Sequence, residues 1–206
     1  LKNELDAVFN EVMSGGDFIM RRHLDEFESN IAEYVGVKHA VGVNTGTDAL
    51  YLLASALGLG RGDEAITVAH TFVATVGAIT TRGATPVLLD VNDDFNMNVD
   101  QLEAAITTRT KAIFPVHLNG HMCDMDKVME VANKHKIPVI EDSAQALGAT
   151  FKGKKAASIG LAGIFSFYPA KMLGTAGDGG MVCTNDDALA RQIRACLLYT
   201  SDAADE

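Results

Sequence analysis

Hydrophobic positions recur at helical spacing twice near the amino end. Leu1, Leu5, Val8, Phe9 and Val12 fall on one face of a first amphipathic helix, and Leu24, Phe27, Ile31 and Tyr34 on one face of a second, with Gly15-Gly16 between them. From residue 40 onward the pattern changes to short β-branched runs, each closed by turn or cap residues. Seven such runs predict strands over Ala40–Val43, Glu64–Val68, Thr85–Leu89, Lys111–Val116, Ile137–Glu141, Gly163–Phe167 and Gly180–Thr184. Helical patterns at Thr47–Leu57, Phe72–Thr81, Val99–Ile106 and Met125–His135 lie between the first five. This is the strand-helix-strand rhythm of a largely parallel sheet covered on both faces, so the fold class is α/β in three layers. The last two strands break the rhythm: no helical pattern joins them, and this end of the sheet is expected to depart from simple parallel crossover. A final helix is predicted after the Asn185-Asp186 cap, through Leu189 and Ile193.

Composition narrows the function classes. The chain has 206 residues, 48% hydrophobic and 21% charged, enough to bury an ordinary core and unlike a disordered chain. Seventeen Lys and Arg against 27 Asp and Glu give a formal charge of −10, which disfavours nucleic acid or an anionic membrane surface as partner. No run approaches the roughly 18 to 20 apolar residues of a membrane span, and residues 1–20 lack a basic start with a long apolar run, so a cytoplasmic protein is expected. Cys123, Cys183 and Cys196 are too few and too scattered for a disulfide framework or a four-thiolate zinc site.

In an open α/β sheet, ligands sit beyond the carboxyl ends of the strands. The residues found there include Asn44-Thr45-Gly46-Thr47, His70-Thr71-Phe72, Asp90, His117, Asp142-Ser143-Ala144-Gln145 and Tyr168-Pro169-Ala170-Lys171. Four other motifs are weaker. Gly58-Leu59-Gly60-Arg61-Gly62 follows a helix instead of opening one, so it reads as a helix-ending turn and not a dinucleotide site. The run from Asp90 to Phe95 resembles a calcium loop, but Phe95 stands where glycine is required and Gln101 where a bidentate glutamate is required. His117, His121, Cys123 and Asp124 lack a standard zinc spacing, and Lys152–Lys155 lacks the glycine frame of a phosphate loop and reads as a solvated basic turn. No metal site is expected.

The chemistry gathers elsewhere. Thr45-Gly46-Thr47 joins a strand to a helix, so backbone N–H groups and the Thr47 hydroxyl can converge on an anion, with Ser166 adding a donor; a glycine turn with a threonine cap would account for the same residues. Asp142 follows an apolar strand, where a carboxylate is costly to bury without a cationic or hydrogen-bonding partner; a protonated pyridine nitrogen would supply one. Lys171 follows another strand among Tyr168, Pro169, Met172 and many glycines, a setting for a lysine that must become a nucleophile. A single lysine after a strand is ordinarily just exposed, and only the company it keeps argues otherwise.

Four ordered segments carry a resemblance: NTGTDAL at 44–50, GDEAITVAHTFVAT at 62–75, VIEDSAQALGA at 139–149 and SFYPAKMLGTAGDGG at 166–180. Over nearly all of residues 1–195 the chain resembles the DegT/DnrJ/StrS sugar aminotransferases, which are fold-type I pyridoxal phosphate enzymes. The resemblance implies a seven-stranded large domain over residues 1–195 and pyridoxal 5'-phosphate as cofactor. It implies that Lys171 is the Schiff-base lysine and proton carrier, and that Asp142 pairs with the pyridine nitrogen. Gln145 would lie near the phenolic oxygen, Phe72 would stack on the ring, and Gly46, Thr47, the Asp48 backbone and Ser166 would hold the phosphate. The implied activity moves an amino group from an amino acid, usually L-glutamate, to a nucleotide-linked keto sugar in amino-sugar or polysaccharide biosynthesis. The rivals are a sugar dehydratase of the same fold, which replaces the lysine with histidine, and a non-catalytic regulatory or scaffolding relative, which would be expected to lose Lys171 or Asp142. Family members are usually homodimers that share active-site residues across the interface.

After Ala195 the resemblance stops. One codon choice for Cys196–Glu206 spells a transposase adapter used in preparing sequencing libraries, so residues 196–206 are expected to be a read-through tail and the chain to be a fragment, inactive alone and without the family's small carboxyl-terminal domain.

Overall fold

A computed structural model describes residues 1–16 and 18–198. The helices are α1 (Lys2–Gly15), α2 (Arg22–Val35), α3 (Gly46–Ala56), α4 (Val73–Thr80), α5 (Leu102–Ala105), α6 (Met125–His135) and α7 (Asp187–Leu198). The strands are β1 (His39–Val43), β2 (Glu64–Val68), β3 (Thr85–Leu89), β4 (Thr110–Ile113), β5 (Ile140–Asp142), β6 (Thr150–Phe151), β7 (Lys154–Lys155), β8 (Ala162–Ser166) and β9 (Gly180–Thr184).

Each of the seven predicted strands is present, with ends shifted by no more than about three residues, the usual uncertainty of pattern-based boundaries. They form a four-stranded part ordered β1-β9-β8-β5 and a three-stranded part ordered β3-β2-β4. Parallel bridges Ile113–Val139 and Val116–Asp142 join the two parts into one sheet. Pro115 and Pro138 explain why that seam is thin, since a proline has no N–H to give to the ladder. Their carbonyls still serve it, accepting from Asp142 N at 2.9 Å and Ile113 N at 3.0 Å. Within this seven-stranded sheet every pair is parallel except those of β9, which runs antiparallel to both β1 and β8; β6 and β7 form a separate antiparallel pair. The expected break at this end is therefore a reversal of one strand, inserted beside the first.

One face of the sheet packs Ile140, Ile164 and Val182 under α3, α4 and α7, with Leu50, Leu53, Ala78, Ile79 and Ile193. The other packs Ile66, Ile113 and Val139 against α5 and α6, and Phe165, Phe167 and Cys183 against α2. Alternation along β5 and β8 thus sends successive side chains to different cores, as the three-layer reading requires. Glu28 of α2 is buried, accepts from Gly42 N at 2.7 Å and pairs with Arg194 of α7, tying the first and last layers together.

Local chemistry sets the helix ends. Asp186 caps α7 by accepting from Ala188 N at 2.8 Å and Leu189 N at 2.9 Å, as predicted. The helix predicted over Val99–Ile106 is instead a 3-10 turn, Val99–Gln101, followed by the single turn of α5. Lys152–Lys155 is the turn and second strand of the β6–β7 hairpin; Lys152 and Gly153 both have positive φ, and the Lys155 ammonium lies over the Tyr34 ring. The apolar face of α1 is real but uncovered, with Leu5 and Phe9 60% and 64% exposed. No helix among the described residues is long and apolar enough to cross a membrane. Of the segment 196–206, residues 199–206 lie outside the described residues.

Candidate active site

A cavity of about 610 Å³ opens at the carboxyl edge of the sheet, on the face covered by α3 and α4. Gly46, Thr47, Phe72, Asp142, Gln145, Ser166 and Lys171 all line it, so seven of the eight residues singled out from sequence converge. Asp48 is set back. Its N–H donates to Thr45 Oγ1 at 2.9 Å and its carboxylate accepts from Asn44 Nδ2 at 3.2 Å.

Thr45 is the N-cap of α3, with extended backbone at φ −149 and ψ 163. Because the cap uses Asp48 N and the first helical bond uses Ala49 N, helix geometry leaves the Gly46 and Thr47 N–H groups open, in the positive field of the helix start. Close packing shapes this cup. A Cβ on Gly46 would fall 2.8 Å from Ser166 Cβ, and one on Gly180 would fall 2.3 Å from the Thr45 carbonyl, so both backbones approach where only glycine fits. Ser166, at the end of β8, adds its hydroxyl to the same wall.

Asp142 ends β5 and is 5% exposed. Oδ2 accepts from Thr75 Oγ1 at 2.6 Å and Oδ1 from Ala144 N at 3.2 Å. Burial pushes the carboxyl above its ordinary range, against the pull of the Thr75 and Ala144 hydrogen bonds and of the His117 and Lys171 charges. A buried carboxylate with open lone pairs and no cation in contact fits a cationic ring nitrogen, which is the test a pyridine cofactor must pass here. Gln145 is oriented by its Oε1, which accepts from Asn119 N at 2.9 Å, so the amide NH₂ remains to donate. Phe72 precedes α4 in extended conformation and is 66% exposed beside the cavity. Lys171 is partly buried on the turn that Tyr168 O closes by accepting from Lys171 N at 2.8 Å.

Two groups were not legible as site residues. Thr75 looks like one more residue of an apolar helix, yet its hydroxyl reaches Asp142; the one signal was a hydroxyl a helical turn after Thr71. Glu141 reads as a strand-end carboxylate, but it is fully buried on the opposite side of β5. It accepts from Ile159 N at 2.7 Å, Gly160 N at 2.8 Å, Ala157 N at 3.1 Å and His117 Nε2 at 3.0 Å. His117 is thus committed to Glu141 and to Cys123 N, which donates to Nδ1 at 3.2 Å. His121 lies 3.0 Å from Asn96 Nδ2, and His70 stands edge-on to Phe95. Among the described residues no group of three or more His, Cys, Asp and Glu is arranged to hold a metal ion.

The fold is that of the fold-type I pyridoxal phosphate-dependent aminotransferases. The model of the DegT/DnrJ/EryC1/StrS aminotransferase family matches residues 1–205, and the chain belongs to that family. It is 52% identical over 194 residues to the GDP-perosamine synthase of Caulobacter vibrioides, covering 93% of this chain and 52% of that protein. Among solved structures it is similar to DesV of S. venezuelae in complex with a ketimine intermediate, with a TM-score of 0.91 at 43% identity, over 95% of this chain and 53% of that one. It is also similar to NtdA of Bacillus subtilis with bound cofactor PMP, with a TM-score of 0.86 at 35% identity, over 95% of this chain and 45% of that one. The chain spans about half the length of the relatives it matches.

Proposed function

We propose that this chain is the cofactor-binding part of a pyridoxal 5'-phosphate-dependent aminotransferase that moves an amino group from an amino acid, with L-glutamate the expected donor, to a nucleotide-linked keto sugar. The observation that carries the reading is the meeting of Asp142 and Lys171 in one cavity that is also lined by the start of α3, at Gly46 and Thr47. Relatives named as nucleotide-sugar aminotransferases support the substrate class.

The bound cofactor supplies an electron-withdrawing ring that stabilises negative charge on the substrate carbon. Gly46 and Thr47 N–H, with the Thr47 and Ser166 hydroxyls, would hold its phosphate, and the Asp48 N–H, already given to Thr45, contributes through the cap and not by direct contact. Asp142 would keep the ring nitrogen protonated, and the Gln145 amide would donate to the phenolic oxygen. Phe72 would cover the ring. Lys171 would supply the amine that holds the cofactor and the base and acid that carries a proton at the substrate carbon. A lysine at this position favours amino transfer over the dehydratase alternative, and the presence of both Lys171 and Asp142 disfavours a scaffold.

In this reading residues 1–195 are the large domain of a cytoplasmic homodimeric enzyme, residues 196–206 are an adapter-derived tail, and the small domain and the partner-supplied site residues belong to the complete parent protein. The test is Lys171→Ala. In the complete parent protein reconstituted with pyridoxal phosphate, the wild type is expected to show a visible absorption that the variant loses, and identical spectra would overturn the assignment. A screen of nucleotide keto sugars with glutamate, run on the complete parent, tests the substrate class.

A further inference from the structure

Asp142 is held unequally at its two oxygens, by a 2.6 Å bond from Thr75 Oγ1 at Oδ2 and a 3.2 Å bond from Ala144 N at Oδ1. Thr75 is fully buried in the first turn of α4, and its Oγ1 lies 2.8 Å from Thr71 Oγ1; Thr71 in turn lines the cavity. The three side chains therefore form a hydroxyl chain from the cavity wall to the carboxyl group. Each hydroxyl carries one proton, so the chain has two self-consistent settings. With Asp142 ionised, Thr75 donates to Oδ2 and accepts from Thr71. With Oδ2 protonated, Asp142 donates to Thr75, Thr75 donates to Thr71, and the Thr71 proton turns away from the chain. Thr75 is one of the buried residues of α4, with Ala74, Ala78 and Ile79, and valine has the same branched shape, so packing alone does not call for the hydroxyl.

We propose that Thr75 is a positioning residue for the reaction. By occupying Oδ2 it sets the plane of the Asp142 carboxyl, presents the less engaged Oδ1 to the ring nitrogen of the cofactor, and favours the ionised setting that a protonated nitrogen needs. This rests on the reading that the cavity takes pyridoxal phosphate. The charged groups facing Asp142 come from the turns around it, His117 after β4 and Lys171 after β8, with Asp178 further along the cavity wall; none of the three makes a hydrogen bond to it.

The test compares Thr75→Val, which keeps the branched shape and loses the hydroxyl, with Thr75→Ser, which keeps the hydroxyl. The first readout is the titration of the Asp142 carboxyl carbon by NMR in the ligand-free 206-residue chain. The valine variant is expected to titrate at higher pH than wild type, and serine to restore the wild-type midpoint; an unmoved midpoint in the valine variant overturns the proposal. The second readout is binding of pyridoxal phosphate against its analogue with carbon in place of the ring nitrogen. Valine is expected to weaken pyridoxal phosphate about tenfold and the carbon analogue less than about twofold. Equal weakening of both would mean a merely structural role. Failure of wild-type chain to bind pyridoxal phosphate would strike the functional reading instead, and the NMR titration would still decide the role of Thr75.

Discussion

Glu141 and Asp142 are neighbours in β5 that face opposite sides of the sheet, and both are buried. On the α6 side, Glu141 meets three backbone N–H groups and the His117 ring, so every direction around its carboxylate is taken. On the α4 side, Asp142 meets one hydroxyl and one N–H. The next residue, Ser143, is fully buried and its Oγ has no partner among the described residues. A charge saturated by the protein fastens loops together, whereas a charge left half-satisfied at a cavity is held ready for a ligand. The same chemical group, one residue apart, is spent on protein contacts on one face and left open to the cavity on the other.

Substitutions along these three positions would break or sharpen that contrast. Glu141→Ala strands His117 and the N–H groups of Ala157, Ile159 and Gly160, and is expected to cost about 3–5 kcal/mol in urea denaturation. A loss under about 1 kcal/mol would show that the saturated carboxylate fastens nothing. Asp142→Asn removes a charge with few partners, so its cost is expected to stay near about 1 kcal/mol, with a pH signature. Burial raises the folded pKa of Asp142 above its unfolded value, so the stability it contributes is fully present below the ordinary carboxylate range and is lost as pH rises through the raised folded value. The advantage of wild type over Asn therefore shrinks with rising pH; an advantage that grows with pH would reverse the assignment of the shift. Ser143→Ala deletes an unpaired buried hydroxyl, and is expected to leave stability unchanged or raise it by no more than about 1 kcal/mol, read as a small rise in Tm.

Much of this was legible in the chain because period and turn chemistry are local. Strand runs such as Glu64–Val68 and the α3 and α6 patterns needed no distant partner to be recognised, and Lys171 and Asp142 stood out because each followed an apolar strand. Strand order was not legible: β9 lies between β1 and β8, a pairing set by contacts far apart in sequence. The helix predicted at Val99–Ile106 shortened because Asn98 caps Asp100 N and opens a tight turn that hydrophobic spacing does not reveal. His117 followed a strand and so resembled a site residue, yet its acceptor is Glu141, from the next strand. Thr75 was hidden for the converse reason, since a β-branched residue in an apolar helix reads as packing.

The reversal of β9 also fixes an order in time. Residues 39–43 pair with residues 180–184, and Gly180 lies against Thr45 and Gly46 at the helix start that would take the phosphate. A chain emerging from the ribosome can fold β2, α4 and β3 against one another early, but the phosphate end of the cavity lacks a wall until its last strand has been made. On the proposed reading, cofactor capture would thereby be tied to completion of the sheet, and a nascent chain stopped before residue 180 would offer an open edge in place of a pocket.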